Sequence, residues 1–217
     1  MTEKTKSKIG ITLRIINTKD YVEKRDAISH DWIKFLESLN MIPILIPNNL
    51  HDLSSYVSDL GLNCVILSGG DDLGTTPERD YTERQLIQIC TTNKIPIFGV
   101  CRGMQIINDY FGGNLSTDIK SKHVGNPHSV TITNSDFNSI VGGPTLKVNS
   151  YHKNILEISN LGTDLLPFAT MDEDNTIEGF FHKQHPIVGV MWHPEREQKL
   201  HDKTLFQNFV KKGKFWN

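Results

Sequence analysis

The stretch IPIFGVCRGMQIINDYFGG, residues 95–113, decides how the rest of the chain is read. IPIFGV, residues 95–100, reads as a buried strand. A cysteine follows at once, and the spacing from Met104 to Phe111 predicts a helix that Gly112 and Gly113 end. Gly99 and Gly103 stand two residues either side of Cys101. A strand that turns straight into a helix crowds its own backbone, so small residues are needed where the two elements approach closely. The helix start has two chemical consequences. Its positive end favours a thiolate over a thiol. Its free amides, beginning with that of Arg102, point to where a negative oxygen would form in an acyl transfer.

Working outward, the first half alternates strands and helices. KIGITLRII (8–16) reads as a strand, Tyr21 to Leu39 as a helix with Trp32, Phe35, Leu36 and Leu39 on one stripe, and MIPILIP (41–47) as a strand. A weakly helical segment covers Leu53 to Leu60, followed by the strand NCVILS (63–68) and a helix over Thr82 to Thr92. Such short apolar strands suit a parallel sheet covered on both faces, and the alternating order gives an α/β, doubly wound, flavodoxin-like fold. The second half is richer in strands: HSVTIT (128–133), TLKVNS (145–150), LLPFATM (165–171), TIEGFFH (176–182) and PIVGVMW (186–192), closed by the amphipathic helix DKTLFQNFVKKG (202–213). No linker-like composition divides the 217 residues, so a single domain over 1–217 is expected.

Composition narrows the class. The net charge of −2 selects neither nucleic acid nor an anionic membrane as partner. The polar start MTEKTKSKIGIT lacks the apolar core of a secretory signal, and no apolar run is long enough to span a bilayer. Three cysteines match neither a disulfide framework nor a zinc knuckle, which favours a cytoplasmic location. Cys64 and Cys90 sit in apolar surroundings and read as packing residues.

Two further segments give Cys101 company. NCVILSGGDDL (63–73) puts Gly69 and Gly70 directly after an apolar strand, where a backbone N–H of Gly70 can join that of Arg102 as an oxyanion donor. PIVGVMWHPE (186–195) delivers His193 from a strand, with Glu195 two residues on. A thiol nucleophile needs a base, and the base needs a third group to fix its tautomer. The G-x-nucleophile-x-G turn is shared with serine hydrolases.

GVCRGMQ (99–105), SGGDD (68–72) and GVMWHPE (189–195), in their order and spacing, resemble the class I glutamine amidotransferase superfamily, and more narrowly its γ-glutamyl hydrolase branch. The similarity runs from KIGIT (8–12) to the final helix. It implies that Cys101 attacks the γ-carbonyl of a small-molecule γ-glutamyl substrate, that His193 moves protons, that Glu195 orients it, and that the Gly70 and Arg102 amides hold the oxyanion. It implies that Gln105 contacts the glutamyl end, and that VNSYH (148–152) lines the glutamyl pocket through Ser150, Tyr151 and His152. No metal and no organic cofactor is implied. Arginine after the nucleophile resembles hydrolases more than synthase-linked glutaminases.

The segment 21–48 is similar to a group found with bacterial capsule or surface-polysaccharide genes. That similarity implies a γ-glutamyl-CDP-amidate substrate, cut to glutamate and cytidine diphosphoramidate. Arg14, Lys24 and Arg25 are candidates to clamp its diphosphate, with an ordinary solvated patch as the competing reading. Lys120, Lys122, His123 and His128 are candidates for a phosphate or base contact from the loop after the nucleophile helix. His182 and His185 flank the turn HKQHP, away from His193, so a metal site with His193 is not expected. A γ-glutamyl-γ-aminobutyrate type of substrate, the glutaminase half of an amidotransferase, and a non-catalytic relative remain the alternatives. Oligomeric state is not legible in the sequence.

Overall fold

A computed structural model of the chain describes residues 5–117 and 123–216. Its strands in chain order are β1 (Lys8–Thr12), β2 (Arg14–Asn17), β3 (Lys24–Ala27), β4 (Ile42–Ile46), β5 (Cys64–Leu67), β6 (Ile97–Val100), β7 (Ser116–Thr117), β8 (His128–Ile132), β9 (Thr145–Val148), β10 (Asn154–Ile155), β11 (Leu165–Met171), β12 (Ile177–His182) and β13 (Ile187–Val190). The helices are α1 (His30–Ser38), α2 (Leu53–Leu60), α3 (Pro77–Asn93), α4 (Arg102–Tyr110), α5 (Ser135–Val141), α6 (Pro194–Glu197) and α7 (Leu200–Lys212).

Nine strands form one sheet in the order β4-β1-β5-β6-β13-β12-β11-β8-β9. From β4 to β13 every pairing is parallel; from β13 to β9 every pairing is antiparallel. The strands of the parallel part are apolar on both sides because both sides are covered. Cys64 and Ile66 join a cluster with Trp32, Phe35 and Leu36 of α1 and Leu205, Phe206 and Phe209 of α7. Val65 and Leu67, one residue out of phase, join the opposite cluster with Val57 of α2, Leu86, Ile87 and Cys90 of α3, and Met104 and Ile107 of α4. Cys64 and Cys90 are thus core residues, and burial raises both thiols, Cys90 to about 12.

Most expected elements are present, and three differ for physical reasons. The expected long strand at 8–16 breaks at Leu13 into β1 and β2, and the expected helix from Tyr21 starts only at His30. Ser29 caps it, accepting a hydrogen bond from the Asp31 amide. Residues before it instead form a ribbon, with β3 antiparallel to β2. The helix expected at Thr82 starts earlier, at Pro77, whose fixed φ and missing N–H suit a first helical position. No helix among the described residues is long and apolar enough to cross a membrane.

The parallel strands end together at one edge of the sheet. The order reverses between β1 and β5, since β4 lies on one side of β1 and the later strands on the other. In open α/β sheets ligands bind outside the strand ends at such a switch. Arg14 follows β1 there, Gly69 and Gly70 follow β5, Cys101 follows β6, and His193 follows β13 with two residues between.

Candidate active site

Cys101 is the cap of α4 and has φ 50° and ψ −106°, a backbone geometry rare for a residue with a side chain. The turn is held by neighbours. The Cys101 amide donates to the Val190 carbonyl at 2.8 Å, and the Cys101 carbonyl accepts from the Gln105 amide at 3.0 Å. Glycine is required on both flanks. A Cβ on Gly103 would run into the Leu67 carbonyl, and one on Gly99 would lie 2.7 Å from the Gly103 oxygen. Strand β5, strand β6 and the first turn of α4 therefore touch backbone to backbone beneath the cysteine.

His193 stands opposite. Its ring and the Cys101 side chain both border Gly69, and its Nδ1 lies 2.8 Å from Glu195 Oε1. All three residues are buried. The backbone of His193 is fixed from the VNSYH segment: its amide donates to Asn149 Oδ1 and its carbonyl accepts from Asn149 Nδ2, both at 2.9 Å. Tyr151 packs edge-on against the His193 ring, with the Arg196 guanidinium over its other face at 3.9 Å. Asn149 and Arg196 carried no sequence signal of their own.

Burial by itself lowers the pKa of the His193 ring. The Cys101 thiol and then the Glu195 carboxylate outweigh it and lift the ring from 6.5 to about 9. Because the folded value lies above the unfolded one, the ring's contribution to stability is complete below about pH 6.5 and lost as pH rises through about 9. Denaturation midpoints followed between these limits should fall in the native protein and fall less in His193→Gln; identical slopes would contradict the assignment of this contact.

The turn after β5 rests on a buried ion network absent from the sequence reading. Arg79 donates through Nη2 to the Ser68 carbonyl at 2.7 Å and through both terminal nitrogens to the Gly69 carbonyl at 3.3 Å. Its Nε donates to Glu83 Oε1 at 2.9 Å, and Thr12 Oγ1 donates to the same oxygen at 2.7 Å. Glu83 Oε2 accepts from Arg102, which also pairs with Asp80. One fully buried carboxylate thus ties the Ser68–Gly70 turn to the residue after Cys101. Among the described residues neither the Gly70 nor the Arg102 amide donates to a backbone carbonyl. Two orphan donors beside a sulfur are the elements an oxyanion hole requires. Only the fold brings Arg79 and Glu83 of α3 together with Arg102 of α4 and buries all three.

A cleft of about 600 Å³ opens beside the cysteine, lined by Gly70, Cys101, Gln105, Tyr151 and His152. Asp71, Asp72, Thr75, Thr76, Lys153 and Asn154 complete it, and Ile15 and Asn17 of β2 form the far wall. Asn154 Nδ2 donates to Asp72 Oδ1 at 3.0 Å and to Gln105 Oε1 at 3.4 Å, joining the loop after β5 to α4 across the cleft.

Other expected contacts are not brought there. Ser150 is buried and its hydroxyl donates to the His123 carbonyl instead of facing the cleft. Arg14 turns inward, its Nε donating to the Gly69 carbonyl at 3.2 Å. Arg25 pairs with Ile16 across the ribbon, and so shares the face opposite Ile15 and Asn17; it binds Glu23 and Tyr21. Lys24 pairs with Glu78. The diphosphate clamp of Arg14, Lys24 and Arg25 is therefore not assembled: ribbon register and local carboxylates occupy these cations. Lys120 and Lys122 lie outside the described residues. His123 and His128 are buried and meet Glu178, with no contact to the cleft. The His182 and His185 rings meet at a tilt with centroids 4.6 Å apart, and His185 follows the far end of β12, away from His193.

The comparisons with known proteins agree with this architecture. γ-Glutamyl-CDP-amidate hydrolase of Campylobacter jejuni subsp. jejuni serotype O:2 is 37% identical over 210 residues, covering 93% of this chain and 96% of that protein. One component of the glutamine-hydrolysing GMP synthase of Thermoplasma acidophilum is 29% identical over 184 residues, covering 83% of this chain and 84% of that protein. The structure of PurLQS from Thermotoga maritima superposes with a TM-score of 0.70 at 18% identity, covering 97% of this chain and 100% of that chain, a likeness of fold. The Peptidase C26 family profile matches residues 8–195, from the first strand through Glu195, and the chain belongs to that class I glutamine amidotransferase-like family.

Proposed function

We propose that the protein is a cysteine-dependent hydrolase of γ-glutamyl amides. The carrying observation is the Cys101 thiol on a strained strand–helix turn, beside a buried histidine whose pKa it raises and whose Nδ1 lies 2.8 Å from Glu195 Oε1. The Cys101 sulfur attacks the γ-carbonyl carbon, and the carbonyl oxygen becomes an oxyanion that the Gly70 and Arg102 amides stabilise. As the C–N bond breaks, the His193 imidazolium gives its proton to the departing nitrogen. Water then attacks the thioester, His193 takes the water's proton and passes it to the sulfur, and glutamate leaves. Glu195 holds the ring's tautomer throughout. Gln105, Tyr151 and the His152 turn bound the glutamyl half.

The amine half of the substrate is proposed to be nucleotide-linked, a γ-glutamyl-CDP-amidate that yields cytidine diphosphoramidate. Support comes from the relative that acts on that compound over nearly equal lengths. The open cleft also continues past the glutamyl end toward Thr75, Thr76 and Lys153, which leaves room and one cation for a phosphorylated group. The role in capsule or surface-polysaccharide synthesis follows from that substrate and is part of the same proposal.

A substrate panel separates the readings. We expect kcat/KM on γ-glutamyl-CDP-amidate to exceed that on γ-glutamyl-γ-aminobutyrate and on glutamine by about a hundredfold, roughly 2.7 kcal/mol of discrimination. Equal and poor turnover of all three sinks the nucleotide-linked substrate. Glutamate release from glutamine that needs a second protein would make the chain the glutaminase half of an amidotransferase, the reading favoured by its likeness to the GMP synthase component.

A further inference from the structure

Behind the cleft wall, three segments distant in sequence meet around one carboxylate. Glu178 of β12 is buried, and neither of its oxygens has a hydrogen-bond partner among the described residues. Its Oε1 lies 3.5 Å from His152 Nε2 and 3.6 Å from His123 Nδ1; its Oε2 lies 3.4 Å from His128 Nε2. One donor atom each from His123, His152 and Glu178 falls within 4.8 Å of the others.

The hydrogen positions make this convergence informative. His152 Nδ1 lies 2.9 Å from the Asn154 carbonyl, which only accepts, so Nδ1 carries the proton. Nε2 then presents a lone pair, aimed at a carboxylate oxygen that also only accepts, and it too has no hydrogen-bond partner among the described residues. His123 Nε2 faces Asp174 Oδ2 at 3.3 Å, and its Nδ1 is the ring nitrogen turned toward Glu178. A ligating histidine almost always gives its other N–H to a carbonyl or carboxylate in this way, which fixes the ring and raises its basicity. Burial also holds the His152 ring below its ordinary pKa, against the pull of Glu178. Facing acceptors repel unless a cation lies between them. Separations of 3.5 and 3.6 Å are long for a hydrogen bond, but they match the edge of a tetrahedron around a metal with bonds of about 2.1 Å, which is about 3.4 Å.

We infer that His123, His152 and Glu178 bind one divalent transition-metal ion, zinc by the chemistry of the donors, with His128 holding the second oxygen of Glu178. Two imidazoles and a carboxylate suit zinc over magnesium or calcium, which prefer oxygen alone. The ion is structural. It ties the segment entering β8 and strand β12 to the turn that carries Asn149, Tyr151 and His152, and so braces one wall of the cleft. This inference is independent of the substrate proposed above.

The test uses the full chain as Cys101→Ser, since a thiol beside His193 would itself take zinc. After removal of bound metal, zinc is titrated in competition with a chromophoric chelator, and cobalt(II) is added to a second sample. We expect one equivalent of zinc, cobalt bands in the visible without thiolate charge transfer, and a higher melting temperature with metal. His123→Asn and Glu178→Gln should each weaken zinc by at least about a hundredfold, Asp174→Asn by about tenfold, and His182→Asn not at all. Where Glu178→Gln does not fold, the His123→Asn and Asp174→Asn titrations decide. A folded protein that takes up no stoichiometric zinc overturns the site, as does uptake unchanged in His123→Asn and Asp174→Asn.

Discussion

Cys101→Ala lowers glutamate release by about four orders of magnitude or more, on the scale of losing a covalent nucleophile from a preorganised site. The expectation follows from what alanine keeps and what it removes. The Cβ is retained, so the backbone at φ 50° meets the same neighbours, and the hydrogen bonds to Val190 and Gln105 are made by main-chain atoms. The sulfur is lost, and with it both the attacking atom and the partner that most raises the pKa of His193. The folded state should therefore persist, with an unchanged far-ultraviolet circular dichroism spectrum, while turnover disappears. A second signature accompanies it: the histidine loses part of its upward shift and titrates nearer to 6.5, readable by nuclear magnetic resonance of the ring. Appreciable turnover in pure Cys101→Ala protein would refute the nucleophile.

Glu83→Gln removes about 3–5 kcal/mol of stability, because it leaves two buried guanidinium groups without their shared charge. Glu83 is fully buried, Arg79 and Arg102 are each about 1% exposed, and Asp80 remains only for Arg102. The amide of glutamine keeps the shape of the carboxylate, so the loss measures charge rather than packing. For a chain of this length the melting temperature should fall by roughly 10 °C. Activity should fall further than the folded fraction does, since Arg79 holds the Ser68 and Gly69 carbonyls and Arg102 follows the nucleophile. Burial raises the Glu83 pKa, but Arg79 and Arg102 outweigh it and hold the carboxyl below its ordinary value. The network's stability is therefore present above that value and lost as pH falls through the depressed one. A variant that melts within a degree or two of the native protein would show that the network does not stabilise the turn.

Local patterns reached far into the site. Gly99 and Gly103 around Cys101 marked the elbow: Gly99 approaches Gly103 four residues on, a local crowding, while Gly103 also meets the Leu67 carbonyl that the sheet brings beneath it. His193 and Glu195 lie two residues apart, so their 2.8 Å pairing is a local event as well. The charged residues were different. Arg14, Lys24 and Arg25 looked like a clamp because they are close in sequence, yet strand pairing puts Arg14 and Arg25 on the face away from the cleft-lining Ile15 and Asn17. Three histidines read as loop contacts or pocket lining, His123, His128 and His152, converge with Glu178 across three separate stretches of the second half.

By itself the sequence determined the alternating α/β order, the elbow at Cys101 and the strands that deliver Gly70 and His193, since each depends on hydrophobic period or on neighbours within a few residues. Only the tertiary structure decided that Glu83 joins two arginines under the donor turns, that Asn149 fixes the backbone of His193, and that Glu178 gathers three histidines. The physical reason is that a polar side chain carries no period. Its partner is chosen by which strand ends the sheet brings side by side, and burial then makes that choice energetically strong.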